Sequence, residues 1–177
     1  MAGIDLPVEP RKRFTWIFKA EKPLDRDLPL TIDPSGVHFR SDGRYYLGGC
    51  PPSLVDGRDP AVDFTDFEMD HSIWENHVWP IIAHRIPQFE AIKLTNTWVG
   101  HYAFNTLDQN AIVGAHTKLG NFVFANGFSG HGLQQSPAIG RGVAEHIIYG
   151  EYRSIDLEPL GYQRIENNTP LLEKAVI

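Results

Sequence analysis

The sequence contains a single cysteine, Cys50, among its 177 residues. One cysteine excludes an internal disulfide bond and any metal site built from several thiolates. None of the histidines forms the H-x-x-x-H pair that binds zinc from one face of a helix. The sequence therefore predicts no metal site. Cys50 is interpreted as a small packing residue, because no activating residues accompany it.

Long apolar runs are also absent, since no stretch approaches the roughly 18 residues that a membrane-spanning helix requires. The first residues, 1–7, match neither a signal peptide nor an arginine-rich transit peptide. Positive charge is scarce, with 16 Lys and Arg against 22 Asp and Glu and a formal net charge of -6. This balance argues against nucleic acid or an anionic membrane as a partner. The sequence predicts a globular protein with no nucleic-acid partner and no transmembrane segment.

The dinucleotide-binding fingerprint is missing as well. Nowhere does a strand lead into G-x-G-x-x-G with an acidic residue about twenty positions further on. The chain instead has G-x-x-G-x-G at Gly127, Gly130 and Gly132. An apolar run at 121–125 before these glycines predicts a buried strand, and a periodic stretch at 136–150 after them predicts a helix.

The predicted helix takes Ser136 as its N-cap and Pro137 as its first residue, and it ends at Gly150. The glycine loop would then lie between the carboxyl end of a strand and the amino end of a helix. Free N–H groups and the helix dipole favour an anionic or electron-rich ligand at such a place. The glycine spacing alone leaves two interpretations open, ligand binding and a tight turn with a packing role.

Three segments carry a family resemblance. NGFSGHGLQQSPAIGRGVAE, residues 126–145, resembles the C-terminal flavin-contacting segment of the D-amino-acid oxidase and sarcosine oxidase-like FAD oxidoreductases. LPVEPRKR, residues 6–13, matches the segment where that family's chain leaves the flavin domain for the substrate domain. Residues 98–114 are similar to the family's run from W-x-G through T-P-D into a short strand, with Leu107 replacing the usual proline.

The resemblance implies FAD as the cofactor. Binding is expected to be noncovalent, because His101 stands where monomeric sarcosine oxidases carry their flavin-linking cysteine. The residues that the resemblance places at the cofactor are Gly127, Ser129, Gly130, His131, Gly132, Leu133 and Gln134.

Several side chains have two open interpretations. The basic residues 11–13 are either a solvated strand entry or a positive charge near the cofactor. His131 either donates a hydrogen bond to a flavin carbonyl or belongs to a local hydrogen-bond network. His101 and Tyr102 are the candidate catalytic residues lining a substrate pocket, and the alternative is that they are ordinary strand side chains.

The predicted fold is α+β and corresponds to part of a two-domain FAD oxidoreductase. Residues 1–104 are expected to form an antiparallel substrate-domain sheet with a helix at 66–85. Residues 105–150 are expected to return into the Rossmann-like FAD domain as its final strand, loop and helix, and residues 151–177 to form a surface tail.

Two patterns support the antiparallel sheet. Phe14, Trp16 and Phe18 alternate along one strand and would share its buried face. Short apolar runs separated by turn residues between 28 and 49 predict a meander, and residues 89–104 predict one or two further strands.

The resemblance implies an FAD-dependent oxidoreductase that oxidises a small amine or an N-methyl amino acid by hydride transfer to flavin. The N–H groups of Leu133 and Gln134 would stabilise the negative charge that reduction places near flavin N1 and the C2 carbonyl. The full-length protein is expected to be the enzyme, and this chain alone is expected to be inactive. The ADP-binding half is expected to come from sequence outside this chain and to be its first partner.

The resemblance also implies an alternative, a mitochondrial assembly factor for respiratory complex I in which FAD is structural. Its location would be the matrix side of the inner membrane, and its partners would be complex I subunits or assembly intermediates. A third possibility is a fragment with no function of its own.

Overall fold

A computed structural model describes residues 3–175 of the chain. They form two units, one made of the residues up to Pro10 and from Tyr102 onward, the other of Arg11–His101. No helix in this part of the chain is long and apolar enough to cross a membrane. The assignment of residues 1–104 and 105–150 to a substrate domain and an FAD domain stays a prediction.

Five strands form an antiparallel sheet. In chain order they are β1 (Val8–Ala20), β2 (Thr31–Ile32), β3 (His38–Asp42), β4 (Tyr45–Cys50) and β5 (Ile92–Asn105). Their spatial order is β2-β3-β4-β1-β5, and β2, β3, β4 and β1 pair in antiparallel fashion. The predicted antiparallel sheet and its meander are confirmed.

Aromatic side chains fill one face of this sheet. Phe14, Trp16 and Phe18 alternate with more exposed residues along β1, and each is at most 9% exposed. The Phe18 ring lies 5.4 Å from that of Trp74 and 5.2 Å from that of Phe89, centroid to centroid. Aromatic pairs at such separations are stabilising beyond the area that they bury. The predicted alternation is confirmed, and it marks the core of the Arg11–His101 unit.

Helical segments cover the aromatic face. They are α1 (Ser53–Asp56), α2 (His71–Ile73), a π-helical segment (Trp74–Val78), α3 (Trp79–Arg85) and a 3-10 turn (Pro87–Glu90). The predicted helix at 66–85 begins later, at His71, because Asp70 caps it by accepting the N–H of Ser72 at 2.9 Å. Pro80 lies in the first turn of α3, where a missing N–H costs least.

Two of the basic residues 11–13, Lys12 and Arg13, pair with the acidic loop after β4. Lys12 Nζ lies 2.5 Å from a carboxylate oxygen of Asp66. Arg13 donates two hydrogen bonds to the carboxylate of Asp59, at 3.0 and 2.9 Å. The charges of Lys12 and Arg13 are thus balanced within their own unit, which favours a structural role over contact with a cofactor.

The other unit is a strand pair with a long helix. Its elements are β6 (Ile112–Ala115), β7 (Val123–Asn126), α4 (Gly132–Tyr149), a 3-10 turn (Glu158–Leu160) and α5 (Gln163–Glu166). β6 and β7 are antiparallel, with Val113 opposite Ala125. Among the residues that the structure describes, β6 is the only strand paired with β7.

The start of α4 was predicted wrongly. The helix begins at Gly132 rather than at Pro137, and Ser136 is not its N-cap. Pro137 has no N–H for the carbonyl of Leu133, four residues before it, and the Ser136 hydroxyl donates to that carbonyl at 2.8 Å instead. The proline is therefore tolerated inside the helix. The predicted end is confirmed, since Gly150 caps α4 with φ +75°.

The predicted surface tail, residues 151–177, is partly buried. Leu157, Tyr162 and Arg164 are 4%, 8% and 7% exposed. A side chain on Gly142 of α4 would overlap the end of Leu157, so the glycine is what lets this segment pack against the helix. The segment after α4 therefore contributes to the core of its unit.

Candidate functional site

The loop from Gly127 to His131 reverses the chain between β7 and α4. Gly127, Ser129 and Gly130 all have positive φ, at +68°, +47° and +96°. The side chain of Asn126 starts the turn by accepting the N–H of Gly127 at 2.6 Å. Left-handed backbone is favourable for glycine and strained for serine. The path of the loop thus favours glycine at positions 127 and 130 and holds Ser129 in a strained conformation. We call residues 127–134, the loop with the first turn of α4, the cofactor loop.

The ring of Tyr102 leaves no space for a side chain at position 130, which explains the glycine there. A Cβ on Gly130 would lie 2.5 Å from Cζ and 2.9 Å from the hydroxyl oxygen of Tyr102. Gly127 is also closely packed, because a Cβ there would lie 3.1 Å from a methyl group of Val8. Gly132 differs, since a Cβ there would lie at an ordinary 3.4 Å from Phe128. Gly127 and Gly130 therefore have the packing role that the sequence left open.

Ser129 anchors the cofactor loop to the end of β5. It is 1% exposed, and its N–H donates to the carbonyl of Ala103 at 3.0 Å. Its hydroxyl oxygen accepts the N–H of Asn105 at 2.9 Å. These two bonds hold a strained residue in place, as buried polar groups in a left-handed conformation require.

The first turn of α4 presents free hydrogen-bond donors. The first helical bond that returns into the loop is donated by Gln135 to the carbonyl of His131 at 3.1 Å. The N–H groups of Gly132, Leu133 and Gln134 precede it and have no intrahelical acceptor. The Leu133 side chain is 88% exposed, so this turn lies open at the surface of its unit. Such a turn binds an anion or an electron-rich carbonyl.

His131, the residue before α4, has a buried polar atom without a partner. Its Nδ1 finds no hydrogen-bond partner among residues 3–175. Buried ring nitrogens are normally satisfied, so this atom is available to hydrogen-bond a bound group. The local network that the sequence offered as an alternative does not include this atom.

His101 and Tyr102 are adjacent in β5 but have different surroundings. The Nε2 atom of His101 lies 2.7 Å from the carbonyl oxygen of Asp66, and its ring stacks on Phe67 at 4.4 Å. His101 therefore holds the acidic loop, while Tyr102 packs on the cofactor loop at Gly130. Their proposed catalytic roles stay predictions.

Cys50 is a core residue. It is 2% exposed, and burial raises the pKa of its thiol to about 12. The thiol is therefore protonated at neutral pH and is a poor nucleophile. No group of three or more His, Cys, Asp and Glu side chains in residues 3–175 has the arrangement of a metal site.

The sequence did not identify three polar residues behind the cofactor loop. Asn105, Asp108 and Arg164 form a buried hydrogen-bonded cluster. Asn105 and Asp108 lie in a polar run between two apolar stretches, and such a run is a usable local signal of a turn. Arg164 offers none, because its partner lies 56 positions away along the chain.

The chain matches a known family model and longer relatives. The model for FAD dependent oxidoreductases matches residues 1–146. FAD-dependent oxidoreductase domain-containing protein 1 of Xenopus laevis is 42% identical over 100% of this chain and 35% of its own length. The Bos taurus protein of that name is 43% identical over 93% of this chain and 33% of its own length. The chain thus spans about a third of these relatives.

Solved structures share the fold. L-proline dehydrogenase from P. horikoshii is 26% identical with a TM-score of 0.78, covering 94% of this chain and 42% of its own. Glycine oxidase from Geobacillus kaustophilus is 20% identical with a TM-score of 0.72, covering 90% and 40%. The resemblance read from the sequence is confirmed, and FAD is the cofactor that the site has to fit.

The cofactor loop suits FAD. The N–H groups of Gly132, Leu133 and Gln134 are neutral donors at the positive end of a helix dipole, and the flavin ring carries carbonyl oxygens that accept such bonds. The unpaired Nδ1 of His131 adds a further polar contact beside them. The residues present therefore fit a flavin at the first turn of α4.

The contrast between two glycines of the loop gives a direct test. Gly130→Ala should lower the free energy of unfolding by about 1–3 kcal/mol, because the methyl group meets Tyr102 and the backbone has positive φ. Gly132→Ala should stay within about 0.5–1 kcal/mol of the wild type, since the position is helical and open. Urea denaturation measures both, and equal effects would contradict this account of the loop.

Proposed function

The chain belongs to the family of FAD-dependent oxidoreductases, and on this premise we propose that its cofactor loop holds the flavin of FAD in such an enzyme. The observation that carries the proposal is the amino end of α4. The N–H groups of Gly132, Leu133 and Gln134 have no intrahelical acceptor there, and Nδ1 of the preceding His131 has no partner among residues 3–175. FAD, when bound, supplies a two-electron acceptor.

The part of this chain in the reaction is electrostatic. The N–H groups of Leu133 and Gln134 would donate hydrogen bonds to the flavin atoms that gain negative charge, N1 and the C2 carbonyl oxygen. Preorganised donors stabilise a developing charge without reorganising when the reaction occurs. Ser129 and Tyr102 keep these donors in place, the first through its bonds to β5 and the second by packing on Gly130.

For the substrate we propose a small amine or amino acid whose nitrogen is secondary, such as an N-methyl amino acid. The likeness to L-proline dehydrogenase, at 26% identity, supports this class because proline is a secondary amine. Oxidation would remove hydride from a carbon beside an uncharged nitrogen and give an imine that water hydrolyses. Noncovalent attachment is part of the proposal, as the chain has no cysteine at His101.

We propose that the first partner is the ADP-binding half of a longer polypeptide, since the relatives are about three times as long as this chain. The exposed side of α4 provides the surface. Three large apolar side chains on this side are exposed: Leu133 at 88%, Ile147 at 65% and Ile148 at 68%. Three smaller exposed residues lie between them at helical spacing, namely Pro137, Gly140 and Ala144. We call these six residues the α4 stripe.

The opposite side of α4 is already packed, through Ile139 and Gly142, against its own unit. A helix that is apolar on both sides belongs between two layers of structure. Gly140 and Ala144 would allow a second layer to approach closely. This geometry favours a large covering surface such as a domain.

A second proposal retains the role implied by the resemblance, in which FAD is structural and the protein supports assembly of respiratory complex I on the matrix side of the mitochondrial inner membrane. It predicts binding of complex I subunits or intermediates rather than turnover of an amine. The two proposals differ in whether any amine reduces the flavin.

The N–H of Leu133 can be removed without breaking the helix. Leu133→Pro in the full-length protein should weaken FAD binding about 10- to 100-fold, the effect of losing one hydrogen bond to a partly charged group, ~1.5–3 kcal/mol. Proline is tolerated in a first helical turn, and the preceding Gly132 has no Cβ to clash with it. Leu133→Ala, which keeps the N–H, is the matched control and should bind FAD as the wild type does.

The same preparations test the substrate. Secondary amino acids should bleach the flavin absorbance of the wild type without oxygen, and Leu133→Pro should slow this reaction at saturating FAD. If both Leu133 variants bind FAD equally, the proposed contact is wrong. If no amine reduces the flavin while loss of the protein lowers complex I abundance, the second proposal replaces the first.

The α4 stripe gives a prediction about the partner half. Ala144→Glu should leave the thermal unfolding of the isolated 177-residue chain within a few degrees, because position 144 is exposed. In the full-length protein it should bury a charge and reduce bound FAD at least tenfold. Lys93→Glu, an exposed change in the other unit, is the control. Full FAD occupancy with Ala144→Glu would show that the stripe is not covered.

A further inference from the structure

The segment after α4 is tied to the turn at the end of β5 by a buried ion pair. Arg164 Nε donates to one carboxylate oxygen of Asp108 at 2.7 Å, and Nη2 donates to the other at 3.1 Å. Asp108 is 1% exposed and Arg164 is 7% exposed. Such two-point pairing fixes the orientation of both groups as well as their separation.

Every donor nitrogen of the guanidinium is used. Nη2 also donates to the carbonyls of Asn110 at 3.1 Å and Ala111 at 2.9 Å, and Nη1 donates to Leu160 at 2.5 Å. Arg164 therefore joins the 3-10 turn and α5 to the start of β6. A lysine could supply the charge but not this set of directed bonds.

Asp108 also accepts two hydrogen bonds from residues that follow α5. Its carboxylate accepts the N–H of Leu171 at 3.0 Å, and its carbonyl accepts the N–H of Glu173 at 2.9 Å. Burial raises the pKa of Asp108, but the hydrogen bonds from Arg164, Leu171 and Asn110 outweigh it, so that the net pKa lies below the ordinary value. The group is the ionised partner that Arg164 needs.

Asn105 links Asp108 to the cofactor loop. It is fully buried, and its Nδ2 donates to Asp108 at 2.9 Å and to the carbonyl of Asn110 at 2.7 Å. Its backbone N–H donates to the hydroxyl of Ser129 in the cofactor loop at 2.9 Å. Arg164, Asp108, Asn105 and Ser129 thus form one continuous buried path, which we call the relay.

We propose that the segment from Leu157 to Glu173 positions the cofactor loop through the relay, with Arg164 as a positioning residue for flavin binding. The inference rests on the proposed role of the loop in holding FAD. The hydrogen-bonded link from the segment to Ser129 runs through Asp108 and Asn105, and Leu157 adds packing in the apolar cluster that contains Phe128 of the loop. Ser129 depends on such external contacts, because a residue other than glycine is strained at φ +47°.

Arg164→Lys tests the relay while keeping the charge. In the full-length protein we expect hydrogen exchange at the N–H groups of Ser129 and His131, both hydrogen-bonded in the loop, to rise at least tenfold. Exchange at Gly114 and Phe124, which lie opposite each other in the β6–β7 pair, should change less than twofold. Arg153→Lys, an exposed arginine between α4 and this segment, is the control and should change neither pair.

The flavin gives the second readout. Displaced loop donors should change the ratio of the affinities for reduced and oxidised flavin about tenfold, which is about 30 mV for a two-electron couple. Ser129→Ala cuts the last link while leaving the ion pair intact, so it should reproduce both effects and lower the unfolding midpoint less than Arg164→Lys does.

The outcomes separate this inference from the proposed function. A full-length protein that holds no FAD would refute the flavin role of the loop, while exchange at Ser129 and His131 would still decide whether the segment positions it. Uniformly faster exchange in Arg164→Lys, or unchanged exchange at these two residues, would overturn the inference and leave Arg164 with a purely structural role.

Discussion

The ion pair between Arg164 and Asp108 is the contact on which the unit that holds the cofactor loop depends. The end of β5, the start of β6, α5 and the chain after it all donate to or accept from these two side chains. Breaking one partner of a buried pair typically costs about 3–5 kcal/mol, because the other charge is left without compensation. Here the pair has further hydrogen bonds on every side, so that the charges are buried but satisfied. The position of Ser129, and with it the path of the loop, follows from this cluster.

Local patterns predicted much of the fold. Phe14, Trp16 and Phe18 alternate in sequence and share a buried face, and Gly150 ends α4 with the left-handed backbone that glycine permits. The start of α4 was missed because Ser-Pro is a common helix opening, whereas here Ser136 supplies the bond that Pro137 lacks. Arg164 was missed because its role depends on Asp108, which lies 56 positions away in the sequence. No local sequence pattern indicates a contact between residues so far apart. For the site, the sequence indicated the loop, but the distinction between Gly130 and Gly132 needed the position of Tyr102.

Two kinds of constraint meet in the cofactor loop. Its first half is set by packing and backbone geometry, since Gly127 and Gly130 face other side chains of their own unit. Its second half is open, with N–H groups at the amino end of an 18-residue helix whose outer side is apolar. The tightly packed first half fixes the position of the N–H groups in the second half. Binding sites use such preorganised donors, which need no rearrangement when a ligand binds. The chain belongs to the FAD-dependent oxidoreductase family, and we propose that this open half contacts the flavin.

The most direct test is an experimental structure of the full-length protein with FAD bound. We predict that the backbone nitrogens of Leu133 and Gln134 lie at hydrogen-bond distance, about 3 Å, from flavin N1 or the C2 carbonyl oxygen. A structure in which these N–H groups face solvent, or in which the flavin contacts neither of them, would contradict the account.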